Sequence, residues 1–289
     1  MRDGAGGVIF RLISLFCLSV LWSVPGAEGQ TVQYEISRSA VWPVTDSQSG
    51  REYDIYVRIP LGYEEARAEG YPVVYLNDGP YTFPVAVGIA HLPMNAGVME
   101  SAIIVGISHA RNENGMDSRV RDLIHAHDAG WRLQTGGAPA YADFLETGII
   151  AEVEARYNAD PARRILSGQS LGGSFGAWML FARPGLFSGY ILTSPSLWFN
   201  DGSIFALEAD YAANHSDLPA RVYFATGARE VPGDSTRHDL AGDQVRFAST
   251  LEGRAYPSLV IRSEIIEGAR HETTFPIGFT RGLEWLLAN

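Results

Sequence analysis

Along the 289-residue chain, the apolar positions change their period. Near the start two segments alternate: 32–37, reading Val-Gln-Tyr-Glu-Ile-Ser, and 51–59, where Tyr53, Ile55 and Val57 are set between polar neighbours. A period of two predicts half-exposed strands, and two in succession predict an antiparallel pair. Short apolar runs follow at 73–76, 102–107, 164–166, 190–193, 222–225 and 259–266. Runs without alternation fit strands buried on both faces. Helix-like stretches at 141–156, 171–181, 202–213 and 239–252 lie between most of them, and one at 276–287 ends the chain. The alternation predicts an α/β fold: a mostly parallel central sheet flanked by helices on both faces, with antiparallel strands at the N-terminal side. No internal repeat or low-complexity linker divides residues 30–289, which read as one domain. Ligands of such sheets gather at the carboxyl ends of the strands. Candidate chemistry is therefore sought in the loops that follow strands.

The sharpest local signal is Gly168-Gln169-Ser170-Leu171-Gly172-Gly173, between a predicted strand and the helix 171–181. This is Gly-x-Ser-x-Gly in a strand–turn–helix context, a nucleophile elbow. The turn is tight only if the residues two positions either side of the serine lack bulk. A serine nucleophile needs a general base. His271 follows the last predicted strand and precedes the last helix. Of the other histidines, His91, His109, His125 and His127 precede the elbow, His215 follows a helix, and His238 sits where an acid is expected. The acid should follow the penultimate strand. Glu230 stands there, with Asp234, Asp239 and Asp243 as neighbours able to fill the role. For a developing oxyanion, the helix after the serine offers the N–H of Leu171. A second donor should come from the loop Asn77-Asp78-Gly79-Pro80-Tyr81. Proline has no N–H, which leaves Gly79, Tyr81 or a side chain.

Two arginines, Arg119 and Arg121, are read in a loop after the 102–107 strand. They either meet an anionic substrate or pair with Asp122 to pin that loop. Trp198 follows the 190–193 strand and is a candidate wall for an acyl or aryl pocket, or a core residue.

Composition removes several classes. The net charge is −11 and the pI about 5.1, the wrong sign for a nucleic-acid binder. Every basic residue is arginine; without lysine there is no Schiff base, pyridoxal anchor or P-loop lysine. Cys17 is the only cysteine, so disulfide frameworks and cysteine zinc sites are excluded. No histidine–carboxylate spacing suggests a metal site, and no cofactor is expected. Residues 1–29 carry Arg2 and Arg11, an apolar run at 12–24, then Ala27-Glu28-Gly29. That is the layout of a cleaved signal peptide, with a run too short to span a bilayer. The expected mature chain, 30–289, is exported, periplasmic or secreted, and has no membrane span.

Taken together, the motifs resemble the putative-esterase family of α/β-hydrolases. That group includes enterobactin and salmochelin esterases, feruloyl esterases, S-formylglutathione hydrolase and mycolyltransferases. The matching pieces are Tyr75-Leu-Asn-Asp-Gly79, Arg119-Val-Arg-Asp122, Thr135-Gly-Gly-Ala138, Gly168 to Gly173, Pro184-Gly-Leu-Phe187, Ser194-Pro-Ser-Leu-Trp-Phe199 and Gly268-Ala-Arg-His-Glu-Thr273. They run from about Val32 to the C-terminus and look closest to the siderophore-esterase branch. The resemblance implies an α/β-hydrolase fold, Ser170 as nucleophile, His271 as base and Glu230 as acid, or a serine–histidine dyad. Relatives take an oxyanion donor from the residue directly after Asp-Gly; here that residue is Pro80. The expected activity is serine carboxylic-ester hydrolysis of a small-molecule ester through an acyl-enzyme. A ferric catecholate is anionic, and a −11 protein repels it unless arginines focus the field locally. Feruloyl or acetyl esters, acyl transfer to an alcohol, and a hydrolase-fold binding protein without catalysis are the other readings.

Overall fold

The computed structural model describes residues 34–288. The expected signal segment 1–29 and Cys17 lie outside them. The strands are β1 Ser39–Thr45, β2 Glu52–Arg58, β3 Tyr71–Leu76, β4 Ile103–Ala110, β5 Ala159–Gln169, β6 Gly189–Thr193, β7 Ala220–Gly227 and β8 Leu259–Ile266. The helices are α1 Gly79–Asn95, α2 Gly115–Leu123, α3 Ala138–Phe144, α4 Ala151–Arg156, α5 Leu171–Ala182, α6 Phe199–Asn214, α7 Leu240–Gly253 and α8 His271–Leu286. A π-helical segment, Leu145–Ile150, joins α3 to α4. All the strands form one sheet in the order β1-β2-β4-β3-β5-β6-β7-β8. β1, β2 and β4 pair antiparallel; β4, β3, β5, β6, β7 and β8 pair parallel.

Two apolar layers cover the sheet. Successive side chains of a strand point to opposite faces, so the unbroken runs feed both layers. In β3, Val74 and Leu76 join Ile104, Tyr223, Phe83 of α1 and Phe279 of α8. Val73 and Tyr75 join Val105, Leu166, Phe224, Phe175 of α5 and Phe247 of α7 on the other side.

Several expectations shift. The first strand lies at Ser39–Thr45, and residues 34–37 are not strand. Its apolar signal is diluted because it is an edge strand, mostly exposed and containing Pro43. β8 is likewise an edge strand and half exposed, not buried on both faces. α1 was not expected; the helix carries Pro80, Pro84 and Pro93, and prolines beyond the first turn disfavour a helix. α2 was expected to be a loop, because it is polar and short. Asn114 caps it, its Oδ1 accepting from the N–H groups of Met116 (2.9 Å) and Asp117 (3.4 Å). Arg119, Arg121 and Asp122 are therefore helical residues. The last helix starts at His271, earlier than residue 276, because Thr273 Oγ1 accepts from the N–H of Arg270 and starts the turn.

Candidate active site

The elbow after β5 is as tight as its sequence implies. Ser170 has φ 59° and ψ −116°, a conformation that costs a non-glycine residue about 1–3 kcal/mol. A side chain at Gly168 would put its Cβ 2.3 Å from the backbone carbonyl of Gly172. One at Gly173 would lie 3.0 Å from the carbonyl oxygen of Thr193 and Cα of Pro195. Gly172 is less confined, with 3.4 Å to the Cβ of Asn77.

The candidate base and acid converge from neighbouring strand ends. His271, the first residue of α8, contacts Glu230 through Nδ1, 2.6 Å from Oε2. The backbones of their loops touch: Gly227, at the end of β7, has space only for hydrogen, since a Cβ would fall 2.4 Å from the carbonyl oxygen of Ala269. Glu230 is wholly buried. Its Oε1 accepts from Ser194 Oγ (2.7 Å), Thr274 Oγ1 (2.6 Å) and the N–H of Gly227 (2.8 Å). Burial pushes its carboxyl pKa up, but these hydrogen bonds and the His271 contact outweigh burial and hold it below the usual glutamate range. The other acids are occupied elsewhere. Asp234 is paired with Arg229, Asp239 caps α7 by accepting from the N–H of Gly242, and Asp243 faces Arg246 at 3.8 Å.

The structure links the nucleophile arm to the base arm through Gln169, whose Nε2 donates to the carbonyl of His271 at 2.5 Å. Ser170 Oγ is hydrogen-bonded to Ser196 Oγ at 3.3 Å rather than to His271. Catalytic hydrogen bonds are often open before substrate binds. Of the oxyanion candidates, the N–H of Leu171 donates to no carbonyl of the described residues. The N–H of Gly79 is likewise unpaired, whereas Tyr81 donates its N–H to Asp78 at 3.0 Å. Gly79 and Leu171 thus have N–H groups to offer, and Tyr81 does not.

The arginines are engaged within the protein. Arg121 is buried, with its guanidinium held by Asp122, Glu113 and Tyr53. Arg119 bonds Asp78 and the carbonyl of Gln169. Trp198 is half-buried, with His238 stacked on it at 3.7 Å and 3° and Trp131 nearly parallel at 6.4 Å. Among the described residues, no group of three His, Cys, Asp or Glu side chains is placed to hold a metal ion. Nor is any helix long and apolar enough to cross a membrane.

Sequence reasoning missed Ser194, Ser196 and Thr274. The first two lie in Ser194-Pro-Ser196 after β6, and Thr274 is three residues past His271. Position on the strand-end side was the available signal.

Residues 47–257 match the family described as Putative esterase. The chain is 26% identical over 276 residues to the ferri-bacillibactin esterase BesA of Bacillus subtilis, covering 90% of this chain and 93% of that one. It is 32% identical over 160 residues to the siderophore triacetylfusarinine C esterase of Aspergillus fumigatus, covering 54% and 55%. The crystal structure of the BES protein from Bacillus cereus superposes with a TM-score of 0.78 at 23% identity, covering 90% of this chain and all of that one. The fold is the α/β-hydrolase fold, and the chain belongs to the Putative esterase family.

Proposed function

We propose that the protein is a serine carboxylic-ester hydrolase that works through an acyl-enzyme. The observation that carries this reading is the buried Glu230 carboxylate 2.6 Å from Nδ1 of His271, beside a serine held on a strained elbow. Glu230 keeps the proton of His271 on Nδ1, so Nε2 is free to accept. Ser170 Oγ turns from Ser196, gives its proton to Nε2 and attacks the ester carbonyl. The oxyanion meets the N–H groups of Leu171 and Gly79. Collapse expels the alcohol, which takes the proton from Nε2, and leaves Ser170 acylated. Water then repeats the sequence: His271 takes its proton, and the acid leaves as Ser170 is restored.

Two of the relatives named above are a ferri-bacillibactin esterase and a siderophore triacetylfusarinine C esterase, and we propose a siderophore-type ester as the substrate class here. We also propose export after removal of residues 1–29; native protein should then have an intact mass beginning at Gln30, and a full-length mass would refute this. The activity itself is tested by labelling with a fluorophosphonate and locating the adduct by mass spectrometry. The adduct is expected on Ser170; modification of another serine overturns the assignment. A panel of p-nitrophenyl acetate, methyl ferulate and a catecholate trilactone, with and without iron, ranks the substrate classes. The trilactone is expected to give the highest kcat/KM, and preference for methyl ferulate would replace the siderophore reading with a feruloyl one.

A further inference from the structure

The loop that carries Gly79 is tied to the serine elbow by side chains that the hydrolytic mechanism does not use. Asp78 has a left-handed backbone, φ 57° and ψ 42°. Its ψ angle sets the direction of the Asp78–Gly79 peptide, and therefore of the Gly79 N–H. Asp tolerates this conformation better than most residues, and its carbonyl accepts from the N–H groups of Tyr81 and Thr82, each at 3.0 Å, as α1 begins.

The side chain of Asp78 adds a second constraint. Its Oδ1 accepts from His109 Nε2 at 3.0 Å and from Arg119 Nε at 2.8 Å. His109 lies on β4 and Arg119 on α2, so the carboxylate is gripped from two elements. The Nη2 group of Arg119 reaches on to the carbonyl of Gln169 at 3.1 Å, the peptide that leads into Ser170. Gln169 in turn holds the carbonyl of His271 at 2.5 Å. One connected path therefore joins the Gly79 loop, the nucleophile strand and the base helix. From the far side, Gly79 is pressed onto Ile107 of β4, where a Cβ would lie 2.8 Å from backbone nitrogen and oxygen.

Both members of the Asp78–Arg119 pair are largely removed from solvent, with side chains 10% and 17% exposed. A buried ion pair is weak evidence for stability, since apolar residues of similar size often serve as well. What apolar residues cannot do is fix two loops at hydrogen-bonding distance and direction. Burial also disfavours the charged carboxylate, yet the His109 and Arg119 contacts keep Asp78 below the usual aspartate range, so it remains an acceptor for both.

We infer that Asp78 and Arg119 are positioning residues for the oxyanion site: they form a strut that sets the Gly79 N–H at a fixed distance from Ser170. This rests on the serine-hydrolase reading and assigns Arg119 a place in it other than substrate contact. Oxyanion stabilisation needs donors already in place when charge develops, and loss of one donor lowers kcat by about 10²–10³-fold. Displacing a donor should cost less.

The test uses Arg119→Met, Arg119→Lys and Asp78→Asn, with Ser170→Ala as reference. Steady-state kinetics on a p-nitrophenyl ester are measured beside inhibition by phenylboronic acid, which forms a tetrahedral adduct with a reactive serine. Arg119→Met is expected to lower kcat about 10- to 100-fold, hold KM within about threefold, and raise the boronate Ki by the same factor as kcat falls. Arg119→Lys keeps the charge but cannot span both partners, and should lie between wild type and the methionine variant. Asp78→Asn keeps the left-handed tolerance and should shift kcat and Ki together. A rise in KM at unchanged kcat would make Arg119 a substrate contact and overturn the strut. So would a fall in kcat with an unchanged boronate Ki. If Arg119→Met does not fold, the same criteria apply to Arg119→Lys. Ser170→Ala separates the two levels. Should it bind boronate as wild type does, the hydrolase reading fails and the strut with it; should it lose binding while the Arg119 ratios fail, only the strut is wrong.

Discussion

Ser170→Ala is expected to lower kcat by ~10⁴-fold or more on every ester that the enzyme cleaves, with folding intact. On the proposed mechanism the hydroxyl is the atom that forms the covalent bond; Ser196 Oγ, 3.3 Å away, is on another loop. A companion variant makes the prediction sharper. Ser170→Gly removes the same hydroxyl and also relieves the strained backbone at φ 59°. The relief, about 1–3 kcal/mol, exceeds the extra freedom that glycine gains in the unfolded chain, about 0.5–1 kcal/mol. The glycine variant should therefore be inactive and about 1 kcal/mol more stable in urea unfolding. An inactive variant that is less stable than wild type would mean that the turn is held by the serine rather than imposed on it.

Glu230→Gln is the second large effect. Three donors converge on Oε1: Ser194, Thr274 and the N–H of Gly227. A glutamine would keep its carbonyl oxygen there and turn its amide –NH₂ toward His271. An N–H group facing Nδ1 forces that nitrogen to accept, which moves the imidazole proton to Nε2. The base is then blocked, and the loss should be ~10⁴-fold in kcat near neutrality. Asp234→Asn, Asp239→Asn and Asp243→Asn should each cost less than about tenfold, a barrier change of ~1.4 kcal/mol, because each of these carboxylates is engaged away from His271. If Glu230→Gln costs no more than they do, a serine–histidine dyad is the correct description.

The same carboxylate couples folding to pH. Its pKa in the folded protein is depressed below the ordinary value. Its ionised network therefore stabilises the fold fully above the unfolded-state pKa of about 4.3. That contribution is lost as the pH falls from there through the depressed folded value. The stability gap between wild type and Glu230→Gln should shrink over that acid range, as followed by urea unfolding. A gap that widens on acidification would contradict the sign.

Legibility in the sequence followed the range of the interactions. Ser170 was readable because its requirement is local: glycines two and three residues away, a strand before and a helix after. His271 and Glu230 were singled out by order, since each follows a strand end, and the structure brings their side chains together. The strut through Asp78, His109 and Arg119 joins residues from three separate elements, and no local pattern announces it. α1 was hidden by its three prolines, and α2 by polarity, although its Asn114 cap was in plain view. The strand pattern failed at β1, a mostly exposed edge strand without the apolar contrast that the pattern depends on; β8 was placed correctly at 259–266 but is half exposed rather than buried on both faces.

Those two rims also bear on how the protein behaves at high concentration. An unpaired strand edge is a template for another chain. At one rim, Pro43 interrupts the outward row of N–H groups. At the other, Val260 and Ile265 are exposed and are the kind of residues that promote strand addition. Between them stand Arg262, Ser263 and Glu264, and a copy docking along β8 would have to strip water from these groups. Glu264 is in addition held by Arg281 of α8 and by Tyr223. A net charge of −11 adds long-range repulsion between copies. Pro43 at one edge, and Arg262, Ser263 and Glu264 at the other, are thus the groups that oppose strand addition.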